Sequence, residues 1–491
     1  MKASIGDQPA PTPGTPAPTV RKDSGKWAYL VAGVLALLVS LALPAPAGMR
    51  PAALRTLVVM GVTVLWWVTE ALPIPITAMM VPVMIHVIGI LPLGDTIREG
   101  FGDSLIPFLV GVLGLSMAFI ASGLGKRITY LLLTLSGTST PLVIGVYFLV
   151  SFVVSMFITD VAVVAMMIPL VIGLLTTVSA KPGSSNLGRA LMMAIMFGST
   201  LGGVCTPAGV SANIITMGFI LKNARLRVSF LDWTVIATPI FLVIGVITWR
   251  LILKFFPPEI DHLPYGRDEI RRELETMGRW STGEVTTLIV FLAAALLWLT
   301  SDLTGVPIAL VSLLILGGIT LPGVGAFRRW NELEKGIEWG AMLLVVGGFS
   351  LGIAATRSGL ASWVAQKALS PMAALPVSLQ PAAVVLLVAI DSLGFSSFGA
   401  AASVNVPFII AYAQQNGLPV LALALAAGFA ASTHFILVTE SPSFVLPYAY
   451  GYFSFKDMAK IGVWVTLMSA ILVSIGMVVA GLPAGTPLPP K

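Results

Sequence analysis

The stretch SFVVSMFITDVAVVAMMIP, Ser151–Pro169, decides how this chain is read. It is apolar almost throughout, yet it holds an acid, Asp160, with Thr159 before it and Ser155 one turn further back. Flanking hydropathy puts the stretch in a membrane interior. An Asp at the centre of an inserted helix costs roughly 2.5–3.5 kcal/mol on insertion scales. A chain keeps such a residue where it faces a cavity, an ion or a partner, so the segment reads as a substrate or ion site. The competing reading is a structural acid, neutral or hydrogen-bonded to its neighbours. The apolar run around it, Leu142–Leu175, exceeds the roughly 20 residues a bilayer requires. It must be tilted, broken or made of two pieces, and the break is expected at Ile158–Asp160.

Composition fixes the class. Of 491 residues 57% are hydrophobic and 10% charged, against about 25% charged in a soluble domain. So few charges cannot cover a soluble protein of this size, and the chain reads as an all-α polytopic membrane protein. The net charge of +6 does not suggest nucleic acid, because the basic residues sit at span ends, as cytoplasmic loops require. Cys205 is the single cysteine, so no internal disulfide exists. His86, His262 and His434 lie far apart, without metal-binding spacing. No P-loop, zinc motif or dinucleotide fingerprint is present, so no cofactor and no ATP drive are read in this chain.

Outward from the opening stretch, residues 1–26 read as a disordered cytoplasmic tail with Arg21, Lys22 and Lys26 before the first apolar run. Residues 27–256 read as a first transmembrane repeat. Its spans are Trp27–Leu43, Leu54–Val68, Ile74–Leu91, Asp103–Leu124, the broken Leu142–Leu175, Ala190–Ile220 and Thr234–Phe256. WWVTEALPIPIT, with Glu70, Pro73 and Pro75, reads as a bent connection with Trp66 and Trp67 at the membrane boundary. Gly202–Asn213, GGVCTPAGVSAN, interrupts Ala190–Ile220. Irregular backbone at that depth survives only if buried in protein or lining a cavity. Residues 257–284 read as a charged cytoplasmic linker with a short amphipathic helix, a solvated face joining two halves. Residues 285–482 form a second transmembrane repeat, ending in spans Leu421–Phe435 and Ile461–Ala480, and 483–491 a short tail.

The repeats are visible directly. VGVLGLSMAFIASGL (Val110–Leu124) matches VGGFSLGIAATRSGL (Val346–Leu360), with the same distance from Gly to Ser. About the same offset carries the Asp160 region onto Phe398 and CTPAGVSAN onto VTESPSFVL, Val438–Leu446. Two repeats, each with a broken helix, mark a secondary transporter with its site near the midplane. The expected count is about eleven transmembrane helices plus two re-entrant hairpins in two inverted repeats, with the N-terminus inside.

The candidate site has two mirrored halves. One is Ser155, Thr159 and Asp160 with Thr206, Gly209, Ser211 and Asn213. The other is Ser396, Ser397 and Gly399 with Thr439, Glu440 and Ser441. Hydroxyls, amides and freed carbonyls suit Na⁺, and half-helix N-termini present N–H groups to an anion. The alternative is that small residues merely pack helices closely. Glu440 and Asp391 are further acids in apolar surroundings, and Arg357 could meet an acid or a substrate carboxylate. GFSLG, Gly348–Gly352, fits G-x-S-x-G, and Ser350, Asp391 and His434 follow in hydrolase order. That motif needs a strand before it and lies instead inside an apolar repeat, so a membrane serine hydrolase is only a remote alternative.

WWVTEALPIPITAMMVPV, EWGAMLLVVGGFSLGIAATRSGLASWV and YGYFSFKDMAKIGVW (Tyr450–Trp464) resemble the divalent anion:sodium symporter family, over nearly the whole chain after about residue 27. The resemblance implies a homodimer in the plasma membrane (the inner membrane of a bacterium). Each protomer would hold a scaffold domain and a transport domain that moves like an elevator. It implies a di- or tricarboxylate or sulfate cargo, usually with Na⁺. The family places a Ser-Asn-Thr triplet at each hairpin tip, with a proline nine residues beyond the Asn, and contacts the substrate through it. Pro169 and Pro407 keep that register here, but the triplets are Thr159-Asp160-Val161 and Ser397-Phe398-Gly399. By resemblance, one Na⁺ site survives on Ser155, Thr159 and Asp160. The second does not, since Leu393 replaces a hydroxyl and Phe398 cannot ligate. The first loop's Thr-Pro-Pro-Asn becomes Val210-Ser211-Ala212-Asn213, and the second loop's Thr-Pro becomes Thr439-Glu440.

An added acid opposes a dianion. At about 4 Å and an effective dielectric near 20 the repulsion is about 4 kcal/mol, enough to abolish binding. Asp160 therefore carries Na⁺, or carries a proton, or the cargo is not a dianion. The sequence supports an anion transporter coupled to Na⁺ or H⁺, against a cation-independent exchanger or a carrier of a non-dianionic substrate in the same fold.

Overall fold

The computed structural model describes residues 24–134, 137–263 and 267–482. Most of the expected N-terminal tail and the 483–491 tail lie outside them. The described chain is all-helical, and nine of its helices are long and apolar enough to cross a membrane, with five shorter apolar ones of 10–17 residues. The first half runs α1 (Ser24–Ser40), α2 (Pro51–Thr69), α3 (Ile74–Val87), α4 (Leu93–Phe101), α5 (Leu105–Ser122) and α6 (Leu124–Leu133). It continues with α7 (Thr140–Ser155), α8 (Asp160–Thr177), α9 (Asn186–Val204), α10 (Ser211–Phe219) and α11 (Phe230–Phe255). The connecting segment holds α12 (Arg267–Thr276).

The second half opens with α13 (Thr282–Leu299), α14 (Ser301–Thr304), α15 (Ile308–Ile319), α16 (Trp330–Gly336), α17 (Trp339–Ser358) and α18 (Leu360–Lys367). It closes with α19 (Gln380–Asp391), α20 (Phe398–Gln415), α21 (Val420–Ala430), α22 (Pro442–Tyr448) and α23 (Phe455–Val479). The order α5–α11 recurs as α17–α23, with α12–α16 between them. Gly123 and Gly359 end α5 and α17 at φ +83° and +86°, a left-handed turn that a side chain would strain. The long helices α11 and α23 both start from capping boxes, Ser229 with Asp232 and Ser454 with Asp457, and they pack on each other.

The expected break is where the sequence put it. α7 stops at Ser155 and α8 starts at Asp160, with Pro169 accommodated inside α8. α9 and α10 flank the predicted irregular loop, and α19/α20 and α21/α22 repeat the arrangement. α9 is the hub, with 94% of its length buried, whereas only 22% of α13 is. Glycines let α7 lie against α9. A Cβ at Gly198 would meet the Phe148 carbonyl at 2.5 Å, and one at Gly202 would meet that of Phe152 at 2.0 Å. Small residues four apart on one helix are how membrane helices bring backbones together.

Three expectations need correction. Trp66 and Trp67 are not boundary anchors. α2 continues past them, both are buried, and Trp66 Nε1 donates to the Tyr29 carbonyl at 3.1 Å. The second broken helix is shorter than the expected Leu421–Phe435, because α21 unwinds after Ala430. The charged linker is also more than a solvated face. The buried Arg127 of α6 bonds Glu284 at 2.7 Å and donates to the carbonyls of Met277, Gly278 and Arg279 beyond α12.

At the linker's other end Glu259 caps α9, accepting the N–H groups of Asn186 and Leu187. Partial burial pushes its carboxyl up, but those amides outweigh it and hold it below the usual carboxylate range. A depressed acid stabilises the fold above its unfolded pKa and loses that contribution as pH falls through the folded one. Glu259→Gln is therefore expected to lower the melting temperature at pH 7. The gap to the parent protein should close as the pH drops below the usual carboxylate range, which a pH series of thermal melts would read.

Candidate functional site

A cavity of about 240 Å³ opens where the two halves meet. The N-termini of α3, α8, α10, α17, α20 and α22 border it. Thr159 and Asp160 start α8, Val210 and Ser211 start α10, and Ser397 and Phe398 start α20, with Ser441 and Pro442 of α22 beside them. None of α8, α10 or α20 has a side-chain cap on its first amides. The ends of α10 and α20 are anion-receptive and left open, whereas α8 begins with an acid of its own, Asp160. α3 and α17 supply another wall through Pro75, Glu338 and Gly340.

The tips are packed against one another. The Asp160 amide donates to the Gly209 carbonyl at 3.3 Å, and the Thr159 amide donates to Ser116 Oγ at 3.2 Å. A Cβ at Gly399 would stand 2.9 Å from Ser211 Oγ, so only a glycine there lets α20 approach α10 this closely. Phe398 forms a closed wall, 5% exposed, its ring set edge-on to His434 and Phe444.

Of the residues singled out by sequence, the cavity collects Thr159, Asp160, Val161, Ser211, Ser397 and Phe398, together with Ser396 and Ser441. It leaves others out. Gly399 acts by contact with Ser211 rather than by lining. Asn213 is buried in the loop between α9 and α10, where its Nδ2 donates to the carbonyls of Thr206 at 2.7 Å, Gly203 at 2.9 Å and Val204 at 3.4 Å. Ser155 is buried behind the tip and donates to the Ile158 carbonyl at 3.4 Å. Thr439 is exposed away from the cavity. Glu440 is buried in its own loop, accepting the amides of Leu437 at 2.9 Å and Ile436 at 3.2 Å. Ser441 and Pro442 hold the place at the cavity that the sequence alignment gave to Thr439 and Glu440.

Glu338, on the cavity wall, was not among the sequence candidates. It is exposed to the open space just ahead of α17. The signal was an acid directly before an apolar run, which also describes an ordinary span boundary. The hydrolase residues serve other ends. Ser350 donates to the carbonyls of Val346 and Thr96, Asp391 accepts from Asn405 at 2.9 Å, and His434 faces the Ala430 carbonyl. Arg357 pairs with Glu99 at 3.2 Å and Asp95 at 3.5 Å of α4.

Two buried side-chain oxygens near the first tip have no partner among the described residues, Asp160 Oδ2 and Asn213 Oδ1. The Ser155 hydroxyl of the same tip is a third oxygen, and these three are all hard oxygen donors. That set fits a hard monovalent cation, as unwound transporter helices provide.

Residues 24–482 match the family described as the sodium:sulfate symporter transmembrane region. The chain belongs to the sodium:sulfate symporter family. It is a multi-pass membrane protein of a transporter family, not an enzyme. Relatives of this symporter-family chain include a sodium-dependent dicarboxylate transporter of Staphylococcus saprophyticus, 27% identical over 95% of this chain and 94% of the relative. Its counterpart in Staphylococcus aureus (strain USA300) is 26% identical over 87% of this chain and 86% of that one. Among solved structures, the YdaH transporter of Alcanivorax borkumensis, described as having an unusual topology, aligns with a TM-score of 0.52. It is 18% identical and covers 80% of this chain and 89% of that one, which speaks to the fold alone.

Asn213→Ala would leave three buried carbonyls without their shared donor. The expected cost is about 1–3 kcal/mol, read as a lower melting temperature of the purified protein in detergent.

Proposed function

We propose that this chain is a secondary active transporter of small anions of the di/tricarboxylate or sulfate class, coupled to Na⁺ through one site. The observation that carries the reading is the cavity at which the uncapped N-termini of α10 and α20 meet beside the acid-bearing start of α8. Amide N–H groups there would hold an oxyanion, assisted by the hydroxyls of Ser211, Ser397 and Ser441. Thr159 and Val161 flank the first tip, and Phe398 and Gly399 shape the second. Ser155, Thr159 and Asp160 would hold Na⁺, supplying the positive charge that an anion needs beside Asp160. Thr439 and Glu440 would act from behind, by fixing the loop that presents Ser441.

The same reading extends to motion and assembly. The relatives named as dicarboxylate transporters, and the two halves with matching broken helices, support an elevator-like carrier. It would be a homodimer in the plasma membrane with its N-terminus in the cytoplasm, as the basic residues ahead of the first span favour. A second reading, coupling to H⁺ or cation-independent exchange, is favoured by the two acids Asp160 and Glu338 in one cavity.

The test is uptake into proteoliposomes. Labelled succinate or sulfate should accumulate under an inward Na⁺ gradient and not in choline; failure of every small anion to enter would overturn the proposal. Asp160→Asn is expected to raise the Na⁺ concentration for half-maximal uptake by about tenfold, equal to about 1.4 kcal/mol of cation affinity. An unchanged Na⁺ dependence would remove Asp160 from the coupling site.

A further inference from the structure

The cavity is lopsided in charge. Asp160 and Glu338 line it, and no Lys, Arg or His does among the described residues. α8 already carries Asp160 at its first position, so its positive end is met by its own acid. The start of α20 has no acid, and Ser396, Ser397 and Ser441 surround it with hydroxyls. One wall thus attracts cations and the other attracts oxyanions.

The acid wall is built to receive something. Asp160 is 5% exposed; its carboxyl faces the Ser443 hydroxyl and the first amides of α8, and its Oδ2 still lacks a well-formed hydrogen bond among the described residues. That oxygen would be costly to leave so unless a ligand completes it. Glu338 reaches the same space from a different element, exposed to the cavity, and its carboxyl has no hydrogen bond or ion pair among the described residues. The two carboxyls line one cavity. Two such acids cannot both stay charged in a confined space next to an incoming anion unless positive charge enters as well. Beyond this pair, Glu440 is turned into its own loop by the amides of Ile436 and Leu437, and His434 is shielded behind Phe398. Neither competes for the role.

We propose that the cargo supplies this charge itself: the preferred substrate is a small acid bearing an ammonium group, such as an amino-dicarboxylate or an amino-sulfonate. Its ammonium group sits between Asp160 and Glu338, and its oxyanion sits at the α20 start among Ser396, Ser397 and Ser441. An ammonium offers three donors and can bridge two carboxylates, and a charge-assisted bond would satisfy Asp160 Oδ2. The inference keeps the carrier of the reading above but gives Asp160 to the cargo's ammonium group in place of Na⁺, so the two readings differ in the Na⁺ dependence they expect. Glu338 becomes a specificity-determining residue.

The experiment compares ligands that differ only in the amine. Purified full-length protein is tested by ligand-induced thermal stabilisation and by proteoliposome uptake with aspartate against succinate, and 2-aminoethanesulfonate against ethanesulfonate, in Na⁺ and in choline. The aminated member of each pair should bind at least about tenfold tighter. Glu338→Gln should erase that preference while leaving the fold's melting temperature without ligand intact. Equal or tighter binding of the amine-free acids by the parent protein overturns the inference, and it does so without using any variant. If succinate binds only in Na⁺ and Glu338→Gln weakens that Na⁺ dependence, the charge comes from the free ion and the inference is likewise overturned. Transport of amine-free acids alone, or of sulfate with none of the four, would overturn the inference and leave the carrier reading standing, whereas transport of no small anion would end both.

Discussion

Backbone groups freed inside a membrane must be satisfied by the protein itself, and this one constraint organises the molecule. Each interrupted helix exposes carbonyls and amides that water cannot reach. In the first half, neutral donors answer. Trp233 Nε1 reaches from α11 to the Val204 carbonyl at 2.9 Å, Asn213 shares that carbonyl and gathers two more, and the Thr206 hydroxyl donates to Met156. In the second half a carboxylate answers, with Glu440 collecting the amides at Ile436 and Leu437. These bonds fix the loops, the loops fix the tips, and the tips define the cavity. The sequence bias toward Gly, Ser, Thr and Asn in otherwise apolar runs follows from this need as much as from any ligand.

Much of this was legible before any coordinates. An acid inside an apolar run too long for one span locates a break, because a continuous helix there would strand a charge in lipid. The repeat of Val-Gly and Ser-Gly-Leu around α5 and α17 is legible because both helices need the same left-handed glycine to turn. Other features were not. Alignment of the second loop with the first slips, since α21 unwinds after Ala430 and the loop to Pro442 is longer than that between α9 and α10. The cavity position therefore passes to Ser441. Glu338 was hidden because charge at the head of an apolar run marks a boundary and a site alike. Only packing of α17 against α3 and α5 shows which it is. Trp66 and Trp67 misled for the related reason that a tryptophan pair near a span end fits both lipid headgroups and a helix interface.

The division of the site also has an electrostatic logic. Helix ends are weak, fixed positive charges, and a chain can spend each one on its own acid or leave it open. α8 is met by Asp160, while α20 begins with an aromatic ring that can neutralise nothing. Substituting an acid at one tip and a ring at the other therefore changes the field across the cavity without changing the backbone that encloses it.

The glycine pair of α9 bears on how such a molecule can move. Gly198 and Gly202 place the α9 backbone almost against the carbonyls of Phe148 and Phe152, one helical turn apart on both partners. Sliding α7 along α9 would drive side chains into the space these glycines keep clear. The first hairpin and the hub helix are thus mechanically one solid piece, with no bearing surface between them. A displacement of either helix would carry the other with it.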